Sequence, residues 1–417
     1  MVLEESIQHV FYRKCRIVRL KDKVVITGIG IVNPLGNSLQ EYSKNLFHCK
    51  TGIRNIDKYK KEKQDIKIGG LVNNIDFSKI PRRLNHKIDT FIRYAMIASN
   101  EAIQNGDLQL ENENPYKIGV FVGNNSGGWD ISEKGFSELY QKGAEYVNPW
   151  QATAWFPAAP QGFISIKNQV KGYSKSFVAG KCSGSFALKF AFESLVNGFD
   201  DVVLCGGTEA PITKLATSCY SQLGTFYLGK KYKTVHPFDR NTQGQILGEG
   251  SAFAILETEK HAIARKAQIL GELVDINCTK DNSINGMEYD YCIFSLLERN
   301  NLSIKDVSLF LPEGSGDKVS DQIEANFIKR LSPQTIVTVP KMLYGGLYGA
   351  STMTDLINGL LFFSKNRVVG IDYDYKTINN VSLLKHTINF NGNYILIVNR
   401  SREGVNTAVL VKRVGGK

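Results

Sequence analysis

Ile118-Gly-Val-Phe-Val-Gly-Asn-Asn-Ser-Gly-Gly128 and Val307-Ser-Leu-Phe-Leu-Pro-Glu-Gly-Ser-Gly316 each run an apolar strand straight into a Gly/Ser loop. Around them, short β-branched runs at Val24 to Thr27, Phe177 to Ala179, Val202 to Leu204, Ala252 to Leu256, Leu270 to Ile276, Ile336 to Val339 and Tyr394 to Val398 alternate with helical stretches. Strands separated by helices imply an α/β protein. The echo between the two stretches leads us to expect two similar halves, residues 22–260 and 261–417, behind a polar N-terminal extension at 1–21. Two ordinary βα turns would produce the same text. In open α/β sheets, a strand that ends in a glycine loop is where ligands are placed.

The chain has 417 residues, 42% of them apolar, which suits two domains or one large duplicated unit. With 22% charge and no low-complexity tract, disordered, collagen-like and repeat-array architectures are excluded. No run of about 18 apolar residues occurs, and Met1 to Leu20 carries Glu4, Glu5, Arg13, Lys14, Arg16 and Arg19 without an apolar core segment. Neither a membrane span nor a signal peptide is expected. The net charge of +11 points to an anionic partner: nucleic acid, a membrane surface or an acidic protein. The basic residues fall in short runs (Lys58 to Lys63, Arg82-Arg83, Lys230 to Lys233) with no RNP-type aromatics or zinc-finger spacing, which disfavours nucleic acid. Seven scattered cysteines, none spaced as CxxC, fit reduced thiols in the cytoplasm.

Cys182 opens the segment Ser183-Gly-Ser-Phe-Ala-Leu-Lys-Phe-Ala-Phe-Glu-Ser-Leu-Val196, which reads as a buried helix ending at Asn197-Gly198. A helix N-terminus and the neighbouring Lys181 would favour a thiolate there, making Cys182 a candidate nucleophile. A small buried cysteine is the alternative. A nucleophilic cysteine normally needs a histidine in reach, yet the histidines are His9, His48, His86, His236, His261 and His386, and 262–385 holds none. His236, beside Pro237-Phe238-Asp239, reads as structural. No carboxylate and histidine cluster has metal spacing, and Gly28-Ile-Gly30 lacks the third glycine of a dinucleotide loop.

In chain order, these motifs resemble those of the β-ketoacyl carrier-protein synthases of the thiolase fold, over about residues 22–400. Val24-Val-Ile-Thr-Gly-Ile-Gly-Ile-Val-Asn-Pro-Leu-Gly36 is similar to the family's opening strand and turn, and Cys205-Gly-Gly-Thr-Glu-Ala210 to its GG-x-E-A segment. Pro237-Phe-Asp239, Gly244 and Gly248-Glu-Gly250 resemble PFD-x-x-x-x-G-x-x-x-GEG. The resemblance implies a five-layered αβαβα fold of two similar halves, each with a mixed sheet packed by helices, and puts Cys182 where the family's acyl-accepting cysteine stands. It implies no cofactor beyond the phosphopantetheine arm of an acyl carrier protein. Two departures follow. Glu313-Gly314 stands where the family has His-Gly, although Asp321 and Glu324 keep the acidic spacing downstream; Lys341 is retained, but Gly346 replaces the second histidine. Phe390-Asn-Gly392 resembles a degraded gating G-F-G-G.

The departures resemble the chain length factor, the ketosynthase-like β subunit of type II polyketide synthases. Gly345-Gly-Leu-Tyr-Gly-Ala-Ser-Thr-Met-Thr-Asp355, Ala154-Trp155-Phe156 with Ile164-Ser-Ile166, and Gly127-Gly-Trp-Asp-Ile-Ser-Glu-Lys-Gly-Phe136 are similar to its motifs. The last implies a tunnel gate at Trp129, Ser132 and Phe136; aromatic core packing at helical spacing would give the same pattern. This resemblance implies a heterodimer with an active ketosynthase α subunit, its edge pairing sought at Tyr173 to Ala179. A basic rim of Arg82, Arg83, Lys230, Lys231 and Lys233 would draw the acidic carrier protein. The factor usually has glutamine at the cysteine's position, so Cys182 reads as a relic, an acyl acceptor by transfer, or an inert packing group. An active synthase using Cys182, and a non-catalytic acyl-chain binding protein, are the competing functions.

Overall fold

A computed structural model describes residues 22–56, 66–85, 87–230, 236–281 and 286–415. Its ten main strands are β1 (Val24–Val32), β2 (Ile118–Gly123), β3 (Lys175–Phe177), β4 (Val202–Glu209), β5 (Gly250–Thr258), β6 (Gly271–Lys280), β7 (Leu309–Leu311), β8 (Ile336–Val337), β9 (Tyr394–Arg400) and β10 (Val405–Lys412). They lie in the order β8-β7-β9-β10-β6-β1-β5-β4-β2-β3. This is one pattern written twice. In each set the third strand is outermost, followed by the second, fourth, fifth and first. The first–fifth and fifth–fourth pairs are antiparallel, the fourth–second and second–third pairs parallel, in both sets. The sets join where β1 meets β6, from Val24↔Leu273 to Ile26↔Gly271.

The helices that matter for the site are α1 (Thr90–Asn105), α2 (Trp129–Gln141), α3 (Ser183–Val196), α4 (Met287–Arg299), α5 (Lys318–Ile328) and α6 (Ser351–Lys365). α3 touches β2 and β4 of the first set and β6 and β10 of the second, and α6 likewise bridges β5 and β9. A helix covered on both faces must be apolar almost all round, and α6 is buried at every position from Ser351 to Phe363. α1 covers the outer face of β1, β4 and β5, and α4 covers β6 and β10. α5 shares a core with Phe310, Leu396 and Val398. The result is the five-layered arrangement the sequence implied. Gly28 and Gly30 serve this packing: an added Cβ would come within 2.3 Å of Ala102 O and 2.2 Å of Ala98 O, so they let the α1 backbone lie directly on β1. No described helix is long and apolar enough to cross a membrane.

One charged cluster closes the end of β5. The fully buried Glu257 carboxylate accepts hydrogen bonds from Thr27 Oγ1, from Arg265 Nε (2.8 Å) and from His261 Nδ1 (2.6 Å), while His261 Nε2 faces Glu113 at 3.0 Å. Burial alone would raise the Glu257 pKa, but Arg265, His261 and Thr27 outweigh it and hold it at about 2. The same bond to Glu257 raises the His261 pKa. A histidine raised on folding contributes stability that is complete below the unfolded imidazole value of about 6.5 and is lost as pH rises through the folded value. Urea midpoints of the wild type should therefore fall from about pH 6 to about pH 9 more steeply than those of His261→Gln. Parallel pH profiles for the two proteins would contradict this.

Candidate functional site

Cys182 ends the 3-10 turn Gly180–Cys182 that leads from β3 into α3. The turn needs Gly180 at φ +60, and Ser183 fixes it by donating from Oγ to Gly180 O (2.7 Å) and accepting from Ala179 N (2.8 Å). The thiol is fully buried and points at the carbonyl oxygens of Val405 (3.4 Å) and Asn399 (3.5 Å). Burial pushes its pKa well above the ordinary thiol value, and Glu313 adds to the effect. The thiolate that a helix N-terminus and Lys181 would favour is therefore not what this environment supports. Burial is the main reason, and the Lys181 Nζ is turned to Glu313 Oε1 at 3.7 Å.

Glu313 follows β7 and is fully buried. Its Oε2 lies 3.3 Å from Lys341 Nζ and accepts a hydrogen bond from Asn399 Nδ2 at 2.7 Å. Lys341 Nζ also lies 3.4 Å from Asp355 Oδ2. Burial works against the Lys341 ammonium, but Asp355 and Glu313 outweigh it, so the pKa is raised and the group is no base. Burial pushes Asp355 up to about 6 against the pull of Lys341. Asn399 ties the two parts together, because its side chain donates to Glu313 and its carbonyl faces the Cys182 thiol.

Asp321 and Glu324 are positioning groups. Glu324 accepts the backbone N–H of Glu313 (2.9 Å) and Gly314 (2.7 Å); Asp321 accepts those of Ser315 (3.0 Å), Gly316 (3.2 Å) and Phe238 (2.7 Å). Burial raises them to about 8 and about 7. Their spacing holds the loop in place whichever residue occupies 313. Gly346 lies in a pocket of about 30 Å³ shared with Glu313, Lys341 and His236, room for one or two water molecules. A side chain there is not excluded sterically, since the nearest atom to an added Cβ is Ile246 O at 3.6 Å. The His236 ring stacks on Tyr375 at 4.8 Å.

Cys182, Glu313, Lys341 and Gly346 thus share one region, while the gate positions divide. Trp129 packs inward against Tyr220 (6.3 Å) and donates from Nε1 to Ser126 Oγ (2.7 Å). Ser132 turns back on its own helix, donating to Gly128 O (2.6 Å), and Phe136 is 52% exposed on the outer face of α2. Phe390 is misplaced by the sequence reading. It stacks on Phe363 (6.0 Å) and receives a bond from Arg413 at the C-terminal end of α6, whereas Cys182 lies by that helix's other end. The backbone that closes over Cys182 is the β9–β10 turn, where Ser401 and Glu403 approach Gly180 and Gly404 takes φ +81. Arg82 and Arg83 are exposed on the one-turn helix Arg82–Asn85, and Lys230 is exposed. Lys231, Lys233 and the run Lys58 to Lys63 lie outside the described residues. Sequence reading passed over Asn399 and Asp355 as partners, and read Lys181 as an activator of Cys182.

With this geometry in place, comparison with known proteins is informative. The family model described as β-ketoacyl synthase, N-terminal domain, matches residues 21–262. The 3-oxoacyl-[acyl-carrier-protein] synthase 2 of Synechocystis sp. is 28% identical over 361 residues, covering 84% of this chain and 87% of that protein. The protein of the same name from Staphylococcus aureus is 26% identical over 358 residues, covering 83% and 86%. Among solved structures, a type II PKS acyl-carrier protein in complex with its ketosynthase bound to the hexaketide superposes with a TM-score of 0.86 at 19% identity, over 94% of this chain and 100% of that one. The ishigamide ketosynthase/chain length factor gives 0.84 at 19%, with the same coverage. These likenesses establish the fold.

Removing one partner from a buried ion network costs about 3–5 kcal/mol, because the remaining charges stay buried. Glu313→Ala, which takes the ion-pair partner from Lys181 and leaves Lys341 with Asp355, should lose about that much stability in urea, and Cys182→Ala only about 1 kcal/mol. A neutral Glu313→Ala would contradict the network.

Proposed function

The chain belongs to the β-ketoacyl synthase family, and on that premise we propose that it acts as a chain length factor, the non-condensing partner of an active ketosynthase in a type II polyketide synthase. The observation that carries this reading is Glu313. Condensation needs donors aimed at the oxyanion and enolate that develop as the extender loses its carboxylate. At the position of the family's first histidine this chain has a carboxylate paired with Lys181 and Lys341, and at the second it has no side chain. The Cys182 thiol beside them is kept in its protonated form by burial.

The surface supports a partner subunit. β3 is the outermost strand of its set; Tyr173 (40%) and Val178 (59%) on either side of it and Phe199 (60%), which packs on Tyr173, are exposed. A sheet edge surrounded by exposed apolar side chains suits pairing with a like chain, here the ketosynthase α subunit. Phe136 would meet that partner from α2 and share in closing the tunnel. The +11 charge, with Arg82, Arg83 and Lys230 exposed, suits an acidic acyl carrier protein. One solved neighbour is named as a carrier protein bound to its ketosynthase, and another as a ketosynthase/chain length factor.

A second reading, an active synthase, draws on the retained Cys182 and on relatives named as 3-oxoacyl carrier-protein synthases. Intact-mass analysis of carrier protein separates the two. The purified chain with acyl- and malonyl-loaded carrier protein should give no β-ketoacyl product. Product should appear only when an active ketosynthase is added, and Cys182→Ala in this chain should not diminish it. Product from the chain alone would establish the second reading. In the reconstituted pair, Trp129→Ala should lengthen the product, and unchanged length would remove Trp129 from the gate.

A further inference from the structure

Four aromatic side chains from separate elements meet behind the Cys182 turn. The Tyr348 ring lies 5.3 Å from Tyr220 and 6.3 Å from Phe226, nearly parallel to the latter at 18°. Tyr220 lies 5.3 Å from Phe226 and 6.3 Å from Trp129. The far end of this group is pinned. The Tyr220 hydroxyl accepts from Asn125 Nδ2 (3.1 Å), and the backbone N–H groups of Asn125 (2.9 Å) and Ser126 (3.2 Å) donate to the buried Glu209. Glu209 also accepts from Gly349 N at 3.2 Å, so the same carboxylate anchors both ends of the group.

Tyr348 is the near end. It begins the 3-10 turn Tyr348–Ala350, which packs against the Gly180–Cys182 turn. Its ring packs on Tyr220 and Phe226, while the turn it begins lies against the one that carries Cys182. Its backbone is in the left-handed region, φ +45, a conformation that costs a bulky residue about 1–2 kcal/mol and costs glycine nothing. Glycines stand at 345, 346 and 349, yet this position carries a tyrosine. The contacts with Tyr220 and Phe226 are what offset the strain.

We infer that Tyr348 is the specificity-determining plug of this chain: held by Tyr220 and Phe226, its ring fills the route from the Cys182 region toward α2 and keeps linear acyl chains out of this subunit. The inference rests on the reading of the site as one built for carrier-bound acyl chains, and assigns that subsite a closed state within the chain itself.

The test uses 11-(dansylamino)undecanoic acid as probe, with the full chain and the variants Tyr348→Gly, Tyr348→Phe and Phe226→Ala, each checked for folding by near-UV circular dichroism. Tyr348→Gly removes the ring and the φ strain together, and Phe226→Ala loosens the same plug from the opposite side. Both should bind the probe at least about ten-fold more tightly than the wild type, with displacement by dodecanoate, and Tyr348→Phe should match the wild type. Wild-type binding as tight as that of Tyr348→Gly would overturn the plug, as would folded Tyr348→Gly and Phe226→Ala that show no gain. No partner subunit enters this measurement, so its failure is distinct from a failure of partner-dependent product formation.

Discussion

A carboxylate set between two ammonium groups, Glu313 between Lys181 and Lys341, governs what this centre can do. At an effective dielectric of about 20, each such contact is worth about 4 kcal/mol before desolvation is subtracted. The two lysines and Asp355 are buried with Glu313, so no member can leave without exposing the rest to an unpaired charge in the interior. The arrangement is therefore rigid, and its rigidity has a chemical consequence. Both ammonium groups are committed to fixed carboxylates, and the thiol beside them sits in a field that disfavours its anion. A condensing centre needs donors free to meet charge as it develops; this one has its charges already matched.

The duplicated sheet explains why these residues meet at all. Each five-strand set ends a parallel strand in a turn that feeds a buried helix, β3 into α3 and β8 toward α6, and those two helices form the shared middle layer. Cys182 comes from the first turn, Lys341 and Gly346 from the equivalent region of the second half, and Glu313 from the loop after β7. Asn399 and the β9–β10 turn close the region from the strand next to β7. Asp321 and Glu324 hold the Glu313 loop by its backbone. The β-ketoacyl synthase fold is thus intact, and Lys181, Glu313, Lys341 and Asp355 form a buried ion-paired cluster within it.

Much of this was legible in the sequence, and the remainder was not for identifiable reasons. The echo between 118–128 and 307–316 announced the duplication because a strand running into a glycine loop is a local pattern. Cys182, Glu313, Lys341 and Gly346 were found together because ordered motifs fix an alignment. Lys181 was misread: a cation next to a cysteine in sequence suggests activation, but only the fold shows that its side chain reaches a carboxylate more than a hundred residues away. Phe390-Asn-Gly392 was mistaken for the closing turn because Ser401-Arg-Glu-Gly404 has no aromatic and a single glycine to mark it. Ser132 and Phe136 share a helix face with Trp129 by spacing, yet only Trp129 finds an aromatic cluster to enter. The Tyr348 plug depends on contacts among four distant segments, which no local pattern records.

The most direct test of the account is the alkylation rate of Cys182 in the native chain, followed by peptide mass spectrometry with iodoacetamide near neutral pH and compared with the exposed Cys219. The account predicts that Cys219 is fully labelled while Cys182 stays unmodified until urea unfolds the protein. Labelling of native Cys182 as fast as Cys219 or faster would mean a reactive thiolate at that position, and would contradict the claim that this centre does not condense.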